Sequence, residues 1–141
     1  MLRYRYAKGY IKKALKDSLI QNPEEFSYLI VLMTFDSLTK TELIVKNVME
    51  KTSGAEVIRR LVNLGLIRQF ADEADKRTMR VAVTDLGKAE LTRIMPKMQQ
   101  VSNLVVGDLT ETEIMSLSYM LRKLDYFHND IYINKRDIVS M

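Results

Sequence analysis

The chain has no cysteine and a single histidine, His128, among 141 residues. Thiol catalysis, thiol redox sensing and cysteine-containing zinc sites are thereby excluded, and one imidazole offers little to a transition metal. No cofactor or metal is expected. Glycine is sparse as well: Gly54, Gly65 and Gly87 stand apart, with no phosphate-binding loop and no nucleophile elbow. The sequence does not read as an enzyme. No run approaches the roughly 18 uninterrupted apolar residues of a membrane span. The basic, aromatic start, Met1-Leu2-Arg3-Tyr4-Arg5-Tyr6, is not followed by an apolar h-region or a small-residue cleavage site. Neither membrane insertion nor secretion is expected, and the cytoplasm is the expected compartment. Apolar residues at 47% and charged residues at 28% describe a globular chain, long enough for one domain of ordinary size.

The net charge of +4 is too small by itself to name a partner. Its distribution says more. Residues 1–20 carry six Lys/Arg against one Asp, and residues 37–80 carry nine against six acids. Residues 21–36 hold three acids and no base, and residues 108–141 hold six acids against four bases.

Apolar residues recur near helical spacing over 2–20, at Leu2, Tyr6, Tyr10, Ile11, Leu15 and Leu19. Asn22-Pro23-Glu24-Glu25 then supplies an N-cap, a first-turn proline and two acids suited to a helix N-terminus. The helix it opens runs to about Phe35, with Phe26, Leu29, Ile30, Leu32 and Met33 expected to be buried. Thr39-Lys40-Thr41-Glu42 has the spacing of a capping box and opens a third helix, with Leu43, Ile44 and Val48 inward. After a break at Glu50-Lys51, Thr52 or Ser53 is the expected cap of a fourth helix to about Asn63, closed by Gly65. That helix carries an apolar stripe (Ile58, Leu61, Val62) and an opposite polar stripe (Thr52, Ser53, Glu56, Arg59, Asn63). The period then changes to two. Residues 66–70 and 79–84 read as strands joined by the polar loop 71–78. Thr84 is placed to cap a helix that starts near Asp85, passes Pro96 and reaches Val101. Thr110-Glu111-Thr112-Glu113 opens a last helix as a second capping box.

Two short helices, the second with a polar outer stripe, followed by a β-hairpin make a winged helix-turn-helix. Such a second helix fits the major groove, and a basic hairpin tip reaches the neighbouring backbone or minor groove. The fold class expected is therefore mainly α with a small β-hairpin wing, flanked by N- and C-terminal helices. Leu38-Thr39-Lys40-Thr41-Glu42-Leu43, the helix end Arg60-Leu61-Val62-Asn63-Leu64-Gly65-Leu66-Ile67-Arg68, and the wing Asp75-Lys76-Arg77 leading into Val81-Ala82-Val83-Thr84-Asp85-Leu86-Gly87 stand in an order and spacing that resembles the MarR family of bacterial transcription factors.

The resemblance covers about Phe26 to Leu91. It implies one protomer over 1–141, with a DNA-binding winged helix-turn-helix at about 23–84 and dimerisation helices at about 1–21 and 85–137. It further implies a homodimeric repressor on a pseudo-palindromic operator in double-stranded DNA, with half-sites roughly 10 bp apart, acting at the bacterial nucleoid. In many relatives a small aromatic or phenolic effector releases the DNA. The family often has Arg or Lys where Glu56 stands, and the turn between the two short helices here lacks the usual glycine.

The DNA-binding residues expected on this footing are Lys40, Thr41, Lys51, Thr52, Ser53, Glu56, Arg59, Lys76 and Arg77. Arg59 is the base-reading candidate, and Lys76 and Arg77 are the wing contacts. Glu56 has two readings: acceptor from cytosine N4, or partner for Arg59, Arg60 or Lys51. Asp75, whose carboxylate phosphate would repel, is read as a wing brace that pairs with Arg77 or caps loop amides. Met33, Met95, Met98 and Met120 are read as core, and the tyrosines of the terminal helices as dimer interface. A rival function, a winged-helix protein-interaction module without specific DNA binding, draws on Glu56 and the acidic wing root Asp72-Glu73.

Overall fold

In the computed structural model the backbone is described for residues 2–134 and the side chains for residues 5–134. The Leu2 and Tyr4 side chains and positions 135–137 of the expected dimerisation segment lie outside the described residues. The element order is α1 (Leu2–Ala14), α2 (Pro23–Thr34), β1 (Leu38–Thr39), α3 (Lys40–Lys46), α4 (Lys51–Asn63), β2 (Ile67–Ala71), β3 (Met79–Val83), α5 (Asp85–Val106) and α6 (Glu111–Ile133). The chain divides into two compact units, Met1–Val105 and Val106–Met141. No helix among the described residues is long and apolar enough to cross a membrane.

The first unit is a winged helix. Its core gathers Tyr28 and Leu29 of α2, Leu43 of α3, Ile58 and Leu61 of α4, Val81 of β3 and Ile94 of α5, all essentially fully buried. Met33 and Met95, read as core from their spacing, are instead exposed on the outer sides of α2 and α5. In α2 the buried side is Glu25, Tyr28, Leu29 and Leu32, so a tyrosine and a glutamate take places expected of Ile30 and Met33. The sheet has three strands in the order β1-β3-β2, all antiparallel. Strand β1, too short to leave a period in the sequence, pairs Leu38 with Val81 and Thr39 with Arg80. With neighbours on both edges, β3 buries Ala82 as well as Val81 and Val83, whereas Met79 at its wing end is exposed.

Helix α1 stops at Ala14, short of the residue 20 that its apolar spacing suggested. The cause lies 70 residues away. Glu90 of α5 accepts from the Leu19 amide at 2.7 Å and from Ser18 Oγ at 2.9 Å, so these groups serve a tertiary contact in place of another helical turn. The phase shifts with it: Ile20 is fully buried and Leu19 is exposed. Arg93 donates Nε to Glu90 at 2.7 Å and Nη2 to the Asp17 carbonyl at 2.7 Å, completing the clamp.

Helix ends follow local chemistry closely. Asn22 accepts from the Glu25 amide at 2.9 Å with Pro23 in the first turn. Thr39 and Glu42 form a complete capping box. Helix α4 departs from expectation. It starts at Lys51 with Glu50 as an N-cap that makes no side-chain bond, so Thr52 and Ser53 lie inside the first turn rather than ahead of it.

Both short helices of the helix-turn-helix end in the same six-to-one, five-to-two pattern. After α4, the Leu66 amide donates to the Leu61 carbonyl and Gly65 to Val62, both at 3.0 Å, with Gly65 at φ +74°. After α3, the Met49 amide donates to Ile44 at 3.3 Å and Val48 to Val45 at 3.0 Å. Here the left-handed position, φ +53°, is taken by Val48, which is exposed rather than inward. The missing turn glycine is thus replaced by a β-branched residue in a backbone region that disfavours it.

The second unit is helical. Its helix α6 is opened by the Thr110–Glu113 capping box and buries none of its residues. Met120, expected as core, is exposed there.

Two outcomes follow for stability. A left-handed conformation costs a non-glycine residue about 1–2 kcal/mol, against about 0.5–1 kcal/mol of extra unfolded-state entropy for glycine. Val48→Gly is therefore expected to raise stability by about 0.5–1 kcal/mol in urea unfolding, and no gain would mean that the turn is not strained. Glu90 is held at a pKa of about 2, below its ordinary 4.5, mainly by Arg93 and further by Leu19 and Ser18. A carboxylate depressed in the folded state stabilises above its unfolded value and loses that contribution as pH falls through the folded one. Stability should decline between about pH 4.5 and pH 2, and Glu90→Gln should lower it at pH 7 while flattening that decline.

Candidate nucleic-acid interface

The polar stripe of α4 is the exposed one. Lys51, Thr52, Ser53, Glu56, Arg59 and Asn63 face solvent, while Gly54, Val57, Ile58 and Leu61 face the core. Gly54 sets how closely this helix lies on the two before it. A Cβ there would fall 2.6 Å from Ile44 Cγ1 and 2.9 Å from Tyr28 Oη, so only glycine lets α4 sit at this depth. The far end is held by Glu25, fully buried at the start of α2. It accepts from Arg60 Nε at 3.1 Å, from the Gln21 amide at 2.8 Å and from Asn22 Nδ2 at 3.3 Å. Arg60 is consumed by this structural pair and so is not a partner of Glu56.

Thr84 fixes the wing to α4. Its hydroxyl donates to the Gly65 carbonyl at 2.6 Å and accepts from the Gly87 amide at 3.1 Å, while its own amide donates to Leu66 O at 3.0 Å. A Cβ on Gly87 would collide with the Leu66 carbonyl and stand 2.7 Å from Val83 Cγ1. The Val-Thr-x-x-Gly motif is thus a junction where α4, both wing strands and α5 meet.

Within the wing loop, Asp75 accepts from the Arg77 amide at 3.1 Å and from Thr78 Oγ1 at 3.2 Å, and lies 3.6 Å from Arg77 Nε. The Arg77 side chain is 94% exposed, so its partner leaves most of the guanidinium to solvent. A second brace went unseen in the sequence. Asp72 accepts from the Ala74 and Asp75 amides at 3.1 Å and from Arg80 Nη1 at 3.2 Å, while Arg80 also donates to Ser37 Oγ and Ser37 O at 3.0 Å. The short spacing from Asp72 to the amides it caps is a local signal, but Ser37 lies 43 residues from Arg80 and gives none. Arg68 makes no ion pair with another described residue and stacks on Phe70, 4.6 Å from the ring centre.

Among the expected contact residues the structure pairs two with acids: Arg59 with Glu56 and Arg77 with Asp75. Of the three partners open to Glu56, Arg59 is the one it takes, and the pairing lowers the Glu56 pKa and raises that of Arg59. Lys40, Thr41, Lys51, Thr52, Ser53 and Lys76 form no side-chain hydrogen bond or ion pair with other described residues. Lys40 and Thr41 open α3, Lys51, Thr52 and Ser53 form the first turn of α4, and Lys76 stands beside Arg77 in the loop. No group of three His, Asp or Glu among the described residues is placed to hold a metal ion.

A cleft of about 360 Å³ lies between α1 and α5 in the first unit, lined by Tyr10, Lys13, Ala14, Lys97, Gln100, Val101 and Leu104. Its lining combines two lysines, a tyrosine and a glutamine with apolar side chains.

Residues 36–87 match the family described as winged helix DNA-binding domain. The HTH-type transcriptional repressor NicR of Pseudomonas putida is 28% identical over 100 residues, which are 71% of this chain and 63% of NicR. The match thus spans under two thirds of that relative's length. Among solved structures, Bordetella bronchiseptica BpsR, described for the regulation of its DNA binding by 6-hydroxynicotinic acid, has a TM-score of 0.80 at 23% identity, covering 87% of each chain. A mutant MarR from E. coli complexed with operator DNA also has a TM-score of 0.80, at 21% identity over 87% of this chain and 88% of that one. The chain is thus similar to a winged helix DNA-binding domain over residues 36–87, and it has the fold of the MarR structures.

Proposed function

We propose that the protein is a MarR-type, sequence-specific DNA-binding regulator. It acts as a homodimeric repressor on a pseudo-palindromic operator and is released by a small aromatic or phenolic ligand. The observation that carries this is the pairing of an outward polar recognition helix with a basic-tipped wing, tied rigidly together at Thr84. The winged helix-turn-helix of about 23–84 binds the DNA. In its α4, uncapped amides and the hydroxyls of Thr52 and Ser53 meet a phosphate, Lys51 adds charge, and Glu56 and Arg59 face the base edges. Lys40 and Thr41 contact the backbone from the start of α3. Lys76 and Arg77 reach the backbone or minor groove beside it, with Asp75 holding the loop in shape.

Dimerisation falls to the segments at about 1–21 and 85–137 of the single protomer. Helix α6 supports this: Tyr119, Met120, Leu124, Tyr126 and Phe127 are all more than half exposed, an apolar surface that a monomer would leave in water. The cleft beside Tyr10, Lys13 and Lys97 is the effector site on this reading. BpsR, whose DNA binding is regulated by 6-hydroxynicotinic acid, supports a ligand of that chemical kind. Such a regulator works in the cytoplasm, at the nucleoid.

The test is selection of binding sites from random DNA, followed by titration against salt. A dimer neutralising roughly 6–10 phosphates should lose on the order of 10³–10⁵ in affinity between 50 and 200 mM salt. Arg77→Ala should weaken binding to every sequence alike and make the log–log salt slope shallower by about 2, one contact per protomer. A chain with no preferred site and no salt dependence would be an interaction module and not a regulator of this type.

A further inference from the structure

Glu56 stands where a basic residue would add affinity, and its geometry gives it a different task. A guanidinium has two edges able to make paired hydrogen bonds: a side-on edge formed by Nε and one Nη, and an end-on edge formed by the two Nη groups. Glu56 occupies the side-on edge of Arg59. Nε donates to Oε2 at 3.0 Å and Nη2 donates to Oε1, across one turn of the recognition helix. Both side chains are on the outward stripe, 60% and 47% exposed for Arg59 and Glu56. The end-on edge, with its two parallel N–H groups, stays available, and two parallel donors are what guanine O6 and N7 accept in the major groove.

Two other arginine–acid pairs near this surface show what is special here. Arg60 is locked on the buried Glu25, and Arg77 has a single 3.6 Å contact with Asp75 and is otherwise in water. Of these three arginines, Arg59 alone is held by two bonds and outward at once. The carboxylate also offsets the charge of Arg59, so the pair gains little from a phosphate and keeps its directed donors for a base.

Resting on the DNA-binding reading above, we infer that Glu56 is a positioning residue: it orients Arg59 side-on so that the end-on fork of Arg59 reads one guanine in each half-site. Glu56 itself touches no base.

Random-sequence selection with the full-length chain and three variants tests this, with circular dichroism to check folding, since both side chains are exposed and their replacement should leave the fold intact. The wild type should prefer guanine at one position per half-site by about 10- to 100-fold. Arg59→Lys should abolish that preference while keeping the salt slope, because a lysine keeps the charge and loses the fork. Glu56→Ala should reduce the preference at that same base pair to about threefold or less, and Glu56→Gln, which retains one acceptor, should fall between. An unchanged preference in Glu56→Ala would overturn the positioning role, as would a loss at a different base pair, which would make Glu56 a direct reader of cytosine. A wild type that selects a site without that guanine overturns this inference alone; a wild type that selects no site overturns the DNA-binding reading with it.

Discussion

The junction at Thr84 is the contact on which the rest of the winged helix depends. Helix α4 must end, the chain must reverse into β2, and β3 must hand over to α5, all within a few ångströms. Gly65 makes the reversal possible with a positive φ, and the Thr84 hydroxyl joins the Gly65 carbonyl to the first turn of α5. Gly87 lets α5 pass the Leu66 carbonyl where any side chain would collide. Because the recognition helix and the wing are both anchored there, their relative position is a property of backbone geometry rather than of long surface side chains. The proposed DNA-binding surface needs that rigidity to match a regular double helix.

Charge is managed by the same economy of partners. Three arginines near the proposed interface meet three acids in three ways: Glu25 locks Arg60 into the protein, Glu56 aims Arg59, and Asp75 shapes the loop while leaving Arg77 in solvent. The modest net charge of +4 is thus no measure of the surface. Glu25, together with acids interleaved with the bases in residues 37–80, divides the cations among structural, directed and diffuse roles. Exposed pairs such as Glu56–Arg59 contribute little stability, which frees them for recognition, while Glu90 and Glu25, both buried, hold elements together.

Much of this was legible along the chain. The capping boxes at Thr39–Glu42 and Thr110–Glu113, the Asn22-Pro23 helix start and the Gly65 helix end all appear as read, because each depends on residues at most a few positions apart. The polar stripe of α4 was legible for the same reason. The misreadings share a cause as well. Periodicity carried α1 past Ala14 and placed Met33 and Met95 inside, because spacing within one helix cannot register what lies opposite. The spacing makes Thr52 or Ser53 the cap, but the helix begins ahead of both, at Lys51 with Glu50 as its N-cap. The absent turn glycine was visible, though not its consequence, a valine at φ +53°.

The sequence by itself determined the order of elements, where most helices start and stop, the outward stripe of the fourth helix and the motif that ties it to the wing. These are set by interactions of short range along the chain, which residue type and spacing encode directly. Only the tertiary structure decided that α1 yields its last turn to Glu90, that Glu25 rather than solvent receives Arg60, that a two-residue strand covers the edge of β3, and that Arg80 bridges Asp72 to Ser37. Each of these last choices joins groups that folding alone brings together, many of them dozens of residues apart, and a buried charge or an unpaired amide takes whichever partner the packed chain supplies.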